Sequence, residues 1–331
     1  MTKTLSELCG IQIENEKIIR KASFLELDDI IKVGALFYTV RGITPDADKI
    51  RACKGILKRK TGIFSNFRGF LQFAIQVKMA VSPDPEAYLD AVLATYKKLA
   101  EGRILPGEIV VMTAMTICDL TGGSGADSEI AAVREAYAKV KQKHKFLTDE
   151  NDLSYIAMMV LSGEDVDRKL EEAEMLYVSL KERFRMPSDT AQSAAMVLTL
   201  SKKPVEQKAE GFISFYQALK EAKHATSKGK PMSVYAAFAD LNAPRDLLVN
   251  EVGEADEWLK RQKGYGFLSS SDVRRVMAAT LALQLHESQS AVPLQTEAST
   301  VVSQLIAEEV IFTMIMMIAV SASISSAASR S

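Results

Sequence analysis

The chain has 331 residues, 47% of them hydrophobic and 25% charged, with 41 basic against 42 acidic side chains for a net charge of −1. That composition belongs to a folded chain and excludes extensive disorder, and the charge balance excludes a global field drawing the protein to nucleic acid or an acidic membrane. Only nine Pro and seventeen Gly leave room for long helices, while Cys9, Cys53 and Cys118, far apart and without a CxxC pair, point to a reducing, cytoplasmic setting.

At the N-terminus Glu7, Glu14 and Glu16 interrupt any apolar core of signal-peptide length, so a cytosolic start is expected. Residues 1–34 are read as one or two capping helices, acidic at Glu26, Asp28 and Asp29. The strongest basic cluster follows at Lys49, Arg51, Lys54, Lys58, Arg59 and Lys60, and runs into Gly62-Ile63-Phe64-Ser65-Asn66-Phe67-Arg68-Gly69. No acidic side chain lies between Lys49 and Arg68. Cations interleaved with Phe64, Phe67 and Phe70 suit an anion or a partner, which makes Lys49, Arg51, Lys54, Lys58, Arg59, Lys60 and Arg68 the candidate binding residues. The blander account, and the simpler one for a single cluster, is a solvated helix followed by a core-filling turn.

From residue 74 onward a repeat organises the chain. Ala74, Ala114, Ala157, Ala195, Ala237 and Ala279 recur at intervals of 38 to 43 residues, each in an apolar run. Tyr96, Tyr137, Tyr177, Tyr216 and Trp258 follow the first five of them by 20 to 23 residues in a second, amphipathic run. Ala35 marks a weaker earlier copy, with Ile56 or Leu57 in place of the ring. The cleanest copy, Leu153 to Leu180, reads as two helices. A recurring small residue permits close helix approach and a recurring ring fills the space between layers, so these positions are assigned to packing. Short breaks at Ser82-Pro83-Asp84-Pro85, Ser162 to Asp165, Lys203-Pro204 and Asn242 to Arg245 fit antiparallel hairpins. Helix starts are expected at Pro106-Gly107-Glu108, Thr148-Asp149-Glu150, Pro187-Ser188-Asp189 and Ser269 to Asp272.

No stretch specifies a chemistry. The glycine-rich Thr121 to Ser128 lacks the strand and the Lys-Ser/Thr of a phosphate loop. His144, His224 and His286 sit at predicted helix ends without the local spacing of a metal site, so no metal, cofactor or catalytic residue is assigned. Second helices begin acidic and end basic, as from Glu86 to Lys98 and from Asp165 to Arg185, which in a stack in register gives one negative and one positive edge. From Val310 to Ala328 nineteen uncharged residues approach bilayer length, but only Val310 to Val320 is strongly apolar and basic flanks are lacking. A buried final helix or a self-association face through 300–320 is expected in preference to a membrane span.

The Ala/aromatic helix pairs, the GIFSNFRG turn at 62–69 and the apolar, then Ala/Ser-rich end together resemble an uncharacterised bacterial all-helical family of unknown function. The resemblance covers nearly the whole chain and implies a helical, cytoplasmic bacterial protein, with no site residue transferred.

The expected fold is all-α, an α-solenoid-like stack of six to seven antiparallel helix hairpins over 1–290, with 291–331 as an apolar helix and tail; a closed α/α toroid is the alternative. The expected role is a non-catalytic scaffold for a protein or peptide, self-associating through its tail. An α/α-toroid enzyme, or binding of an anion or nucleic acid through the basic patch, is the alternative.

Overall fold

The computed structural model describes residues 4–23, 26–102, 107–123, 125, 127–143, 152–163, 165–201, 203–227, 230–266, 270–289, 311 and 318. Every regular element among them is helical. In chain order these are α1 (Leu5–Ala22), α2 (Asp28–Val40), α3 (Ala47–Lys60), a 3-10 turn (Asn66–Arg68), α4 (Gln72–Val81), α5 (Pro85–Leu99), α6 (Glu108–Leu120) and α7 (Asp127–Lys143). Then come α8 (Leu153–Leu161), α9 (Val166–Val178) with a π turn at Ser179–Arg183, α10 (Ser188–Thr199), α11 (Val205–Glu221), a 3-10 segment (Lys230–Asp240), α12 (Arg245–Lys260) and α13 (Ser271–Gln289).

The two runs of each repeat become two layers. The alanine anchors fall on α4, α6, α8, α10, the 3-10 segment and α13, and Ala35 falls on α2. Ala35, Ala74, Ala114, Ala157 and Ala279 are completely buried, and these helices are buried on nearly every face. Close approach is visible at Gly34, where an added Cβ would lie 2.6 Å from the Phe73 ring of α4. The aromatic anchors fall on α5, α7, α9, α11 and α12, whose opposite faces meet water. Tyr137, Tyr177 and Tyr216 are buried, and Tyr96 and Trp258 pack against the core from partly buried positions.

Neighbour follows neighbour within each layer. In the inner layer α6 packs on α8, α8 on α10, α10 on the 3-10 segment, and that segment on α13, which returns to α2 and thence to α4. The turn Asn66–Arg68 touches both α4 and α6. In the outer layer α3, α5, α7, α9, α11 and α12 follow one another, and α1 lies against both α12 and α3. The helices α12 and α13 thus lie against α1 and α2. The expected boundary at residue 34 falls inside α2, so the first 34 residues supply an outer and part of an inner helix.

Cations recur at fixed places in this design. Lys49 Nζ donates to the Ser82 carbonyl at 2.7 Å, Lys203 Nζ to that of Ala239 at 2.6 Å, and Lys169 Nζ to that of Thr199, each supplying positive charge to the C-terminal end of an inner helix. Between outer helices Lys60 meets Asp90 at 2.7 Å, Lys98 meets Asp127 at 2.5 Å, Lys139 meets Asp167 at 3.2 Å and Arg183 meets Glu210 at 3.5 Å. The basic end of one outer helix thus meets the acidic start of the next. Charges expected to segregate to two edges are partly neutralised along this ladder, where solvent screens each exposed pair.

The starts of α6, α10 and α13 fall where expected, but Gly107 and Pro187 give the first two no side-chain cap; at α5, by contrast, Asp84 accepts from the amides of Glu86 and Ala87, and Pro85 occupies the first helical position. The start expected at Thr148 to Glu150 and His144 lie outside the described residues, as does most of the apolar run 300–331. Of that run Ile311 is helical and fully buried, and Ile318 packs against the core. Among the described residues no helix is long and apolar enough to cross a membrane.

Candidate functional site

The predicted basic residues sit on α3, apart from Arg68 in the 3-10 turn, and Ile50, Cys53 and Leu57 of α3 face the core, so its cations lie on the remaining faces of the helix. Lys49 is spent on the Ser82 carbonyl. Arg51 donates to the Lys21 carbonyl at 3.1 Å and pairs with Asp48. Arg59 reaches Glu86 at 3.4 Å, Lys60 is shared by Glu86 and Asp90, and Arg68 approaches the Thr61 carbonyl at 3.4 Å. Lys58 is exposed and Lys54 half-buried, the latter close enough to Glu26 to oppose the rise that burial causes in that carboxyl's pKa.

What the following turn presents is apolar. Ser65 Oγ accepts from the Phe67 amide, Asn66 Nδ2 donates to Tyr96 Oη at 2.8 Å, and the buried Phe67 ring stands edge-on to Tyr96 with centroids 5.1 Å apart. At its far end the Phe70 amide donates to Glu108 Oε1 at 2.6 Å. These anchors hold the turn against α5 and α6 and leave its tip outside: Phe64 is 95% and Ile63 69% exposed, where Phe67 is 1% exposed. Core filling, the expected role of this turn, is therefore performed by Phe67 alone. Gly69 keeps the anchor open, because a Cβ there would collide with the Glu108 carboxylate. Gly69→Ala is accordingly expected to displace Glu108 and cost about 1.5–3 kcal/mol, the range for a lost hydrogen bond to a charged group, measured by urea denaturation.

A second polar constellation lies where α11, α12 and α13 meet. Asp256 of α12 is 1% exposed; its Oδ1 accepts from Arg274 Nε at 2.6 Å and its Oδ2 meets His224 Nδ1 at 2.8 Å. Arg274 also donates to the Tyr265 carbonyl at 3.0 Å. Gly253 makes room, since a Cβ on it would come within 3.0 Å of the imidazole. His224 was not assigned from sequence because its carboxylate is 32 residues away rather than one helical turn. Likewise His286 meets Glu251 at 2.5 Å across α12 and α13. His224, Asp256 and Glu257 lie close enough together to share a cation. The fit is poor: Arg274 already holds Asp256, Arg275 Nε stands 3.9 Å from it, and Lys260 holds Glu257 at 3.0 Å. Three cationic groups around two carboxylates leave no negative charge there for a metal ion to balance.

Beside this network opens a cavity of about 350 Å³ lined by Tyr216, Lys220, Lys223, Ala225, Thr226, Ser227 and Arg275. Among the described residues of the glycine-rich loop weighed from sequence, Asp127 opens α7 with Glu129 in its first turn, and Asp127 is paired with Lys98. The three thiols are free and buried, and burial pushes Cys9 up to about 12 and Cys53 up to about 11, which leaves them unreactive as nucleophiles.

Paired helices in two layers, without a strand among the described residues, define an all-α protein whose apolar helices are enclosed by amphipathic ones. The chain belongs to a family of proteins of unknown function, DUF4003, whose model matches residues 16–320. No curated protein and no solved structure matches it.

Proposed function

We propose that the protein is a non-catalytic recognition scaffold, a closed α/α ring of helix hairpins that presents the Ile63-Phe64 tip to a protein segment. The observation that carries this is the exposure of Phe64 and Ile63 on a turn held by Asn66, Phe67 and Phe70 on its C-terminal side and by Thr61, the buried cap of α3, on the other. A rigid apolar tip is what an interface anchor requires, because little conformational entropy remains to be lost on binding. Lys58, at the neighbouring end of α3, suits a partner with an apolar residue flanked by carboxylates.

Closure changes where recognition takes place. The inner helices are buried, so the concave groove of an open stack is not the surface on offer; the outer rim is. The rival enzyme needs free carboxylates, but Glu86, Asp90, Asp127, Asp167 and Glu210 are tied to cations of the preceding helix. Nucleic-acid binding through the basic stretch is weakened by the internal duties of Lys49, Arg51, Arg59 and Lys60. A cytoplasmic location belongs to the same proposal and rests on three unpaired cysteines. Self-association through 300–320 is the lesser part of it, since Ile311 is already buried within one chain.

The test is a peptide array carrying Phe or Leu flanked by Asp and Glu, probed with the native chain and with Phe64→Ser. Binding is expected to fall at least about tenfold in the variant, the effect of losing an interface anchor, while stability stays within about 0.5 kcal/mol because the ring is exposed. Equal binding by both chains, or no binding by the native one, removes the proposal.

A further inference from the structure

We propose that the cavity at the end of α11 is a binding site for a phosphate group, carried by a small phosphorylated molecule or free. The inference is independent of the Phe64 surface and rests on four observations that converge on one place.

The first is charge. Lys220, Lys223 and Arg275 line the cavity, and no carboxylate pairs with Lys220 or Lys223 among the described residues. Asp272 is the nearby opposing charge, 3.9 Å from Arg275, and its oxygens already accept from the Ser227 amide at 3.0 Å and from the Ser227 hydroxyl. Asp256, 3.9 Å from Arg275, is held by Arg274. Three cations against Asp272 leave an excess that matches a dianion better than a single carboxylate.

The second is an unmet hydrogen-bonding demand. The buried Nε of Arg275 has no partner within hydrogen-bond range, and the Oγ1 of Thr226, 3% exposed and lining the cavity, meets only the Tyr235 hydroxyl, outside hydrogen-bonding geometry. Buried polar groups are ordinarily paired, and a donor left over beside a cationic cavity points to an acceptor from outside.

The third is rigidity. The Thr226 amide donates to Tyr235 Oη at 3.0 Å, its carbonyl accepts from Tyr216 Oη at 3.3 Å, and Arg275 donates to the Lys223 carbonyl at 3.0 Å. The loop is held in place around the cavity without using the Thr226 hydroxyl.

The fourth is backbone strain. Lys223 has φ of 67°, one of two described non-glycine residues with positive φ. It follows the end of α11, where His224 N donates to the Leu219 carbonyl at 2.8 Å, a position at which glycine is the usual solution. A lysine kept in that conformation costs stability and turns a cation into the cavity, which is the pattern of strain held at a functional position. The volume leaves room beyond a phosphate for a small organic moiety.

The experiment is titration calorimetry on the full chain with inorganic phosphate and with phenyl phosphate, against chloride at matched ionic strength. Saturable one-to-one binding is expected. Lys223→Gly relieves the positive φ and keeps the carbonyl that Arg275 uses, so it is expected to unfold at the same or higher urea concentration while binding at least tenfold more weakly. Tighter binding of phenyl phosphate identifies an organic monoester as the ligand, and equal binding identifies free phosphate. Absence of saturable binding above the chloride control, or unchanged affinity in a folded Lys223→Gly chain, overturns the proposal.

Discussion

Replacing Asp256 with alanine is expected to lower the unfolding free energy by about 3–5 kcal/mol, the range for stripping one partner from a buried ion pair. The size follows from what is left behind. Arg274, with 8% of its side chain exposed, loses the oxygen 2.6 Å from its Nε and keeps only the Tyr265 carbonyl, while His224 loses its partner at 2.8 Å. An exposed pair sets the contrast: Lys98→Ala removes a contact to Asp127 just as short, at 2.5 Å, yet is expected to cost less than about 1 kcal/mol because both groups stay solvated. Urea denaturation of the two variants against the native chain measures both. A loss below about 1 kcal/mol for Asp256→Ala would mean that water enters the junction of α11, α12 and α13 and relieves the guanidinium.

The layers were legible in the sequence because both anchors are local. Ala157 and Tyr177 mark one hairpin by themselves, and copies at similar intervals reveal the rest; those alanines are now inner and those rings outer. Whether the two ends would meet was not legible. Whether a stack opens or closes depends on a small rotation accumulated over every hairpin, and its direct signs are pairs such as Gln12 with Tyr265, 253 residues apart. The site residues divide along the same line. The GIFSNFRG turn was singled out from sequence, but not that Phe67 would be buried and Phe64 exposed, since that choice is made by Tyr96 and Glu108 on other helices. His224 with Asp256 escaped a search limited to one-turn spacing. One local sign was present: Gly253 inside an otherwise strong helix marks a close approach, and the imidazole fills the space. Lys223 gave no sign, because nothing in a lysine announces positive φ.

The seam between chain ends gives the other large effect. Tyr265 is completely buried; its hydroxyl donates to Glu16 at 2.8 Å, and Gln12 Nε2 lies 3.4 Å from the same oxygen. Lys32, also without exposed surface, sits 4.8 Å from the Tyr265 ring centroid and donates to the Gly264 carbonyl at 2.6 Å, and Gly264 has φ of 89° where glycine is favoured. Burial and the Glu16 carboxylate push the phenol pKa far up, so the hydroxyl remains a donor throughout the physiological range. Tyr265→Ala is expected to cost about 3–5 kcal/mol, as for other buried rings. Tyr265→Phe keeps the ring and is expected to cost about 1.5–3 kcal/mol for the lost hydrogen bond to a carboxylate.

Location matters more than size here. In a ring the seam is shared by α1 and α2 on one side and α12 and α13 on the other, all of which contact across it. Hydrogen exchange on Tyr265→Ala should therefore show amides of α1, α2, α12 and α13 losing protection together, while α6 and α8, which do not carry the seam, keep theirs. In an open stack the same substitution would fray only the end that contains it. Loss confined to α12 and α13, with α1 and α2 unchanged, is the outcome incompatible with closure, and it would restore the concave groove of the inner layer as the surface on which recognition takes place.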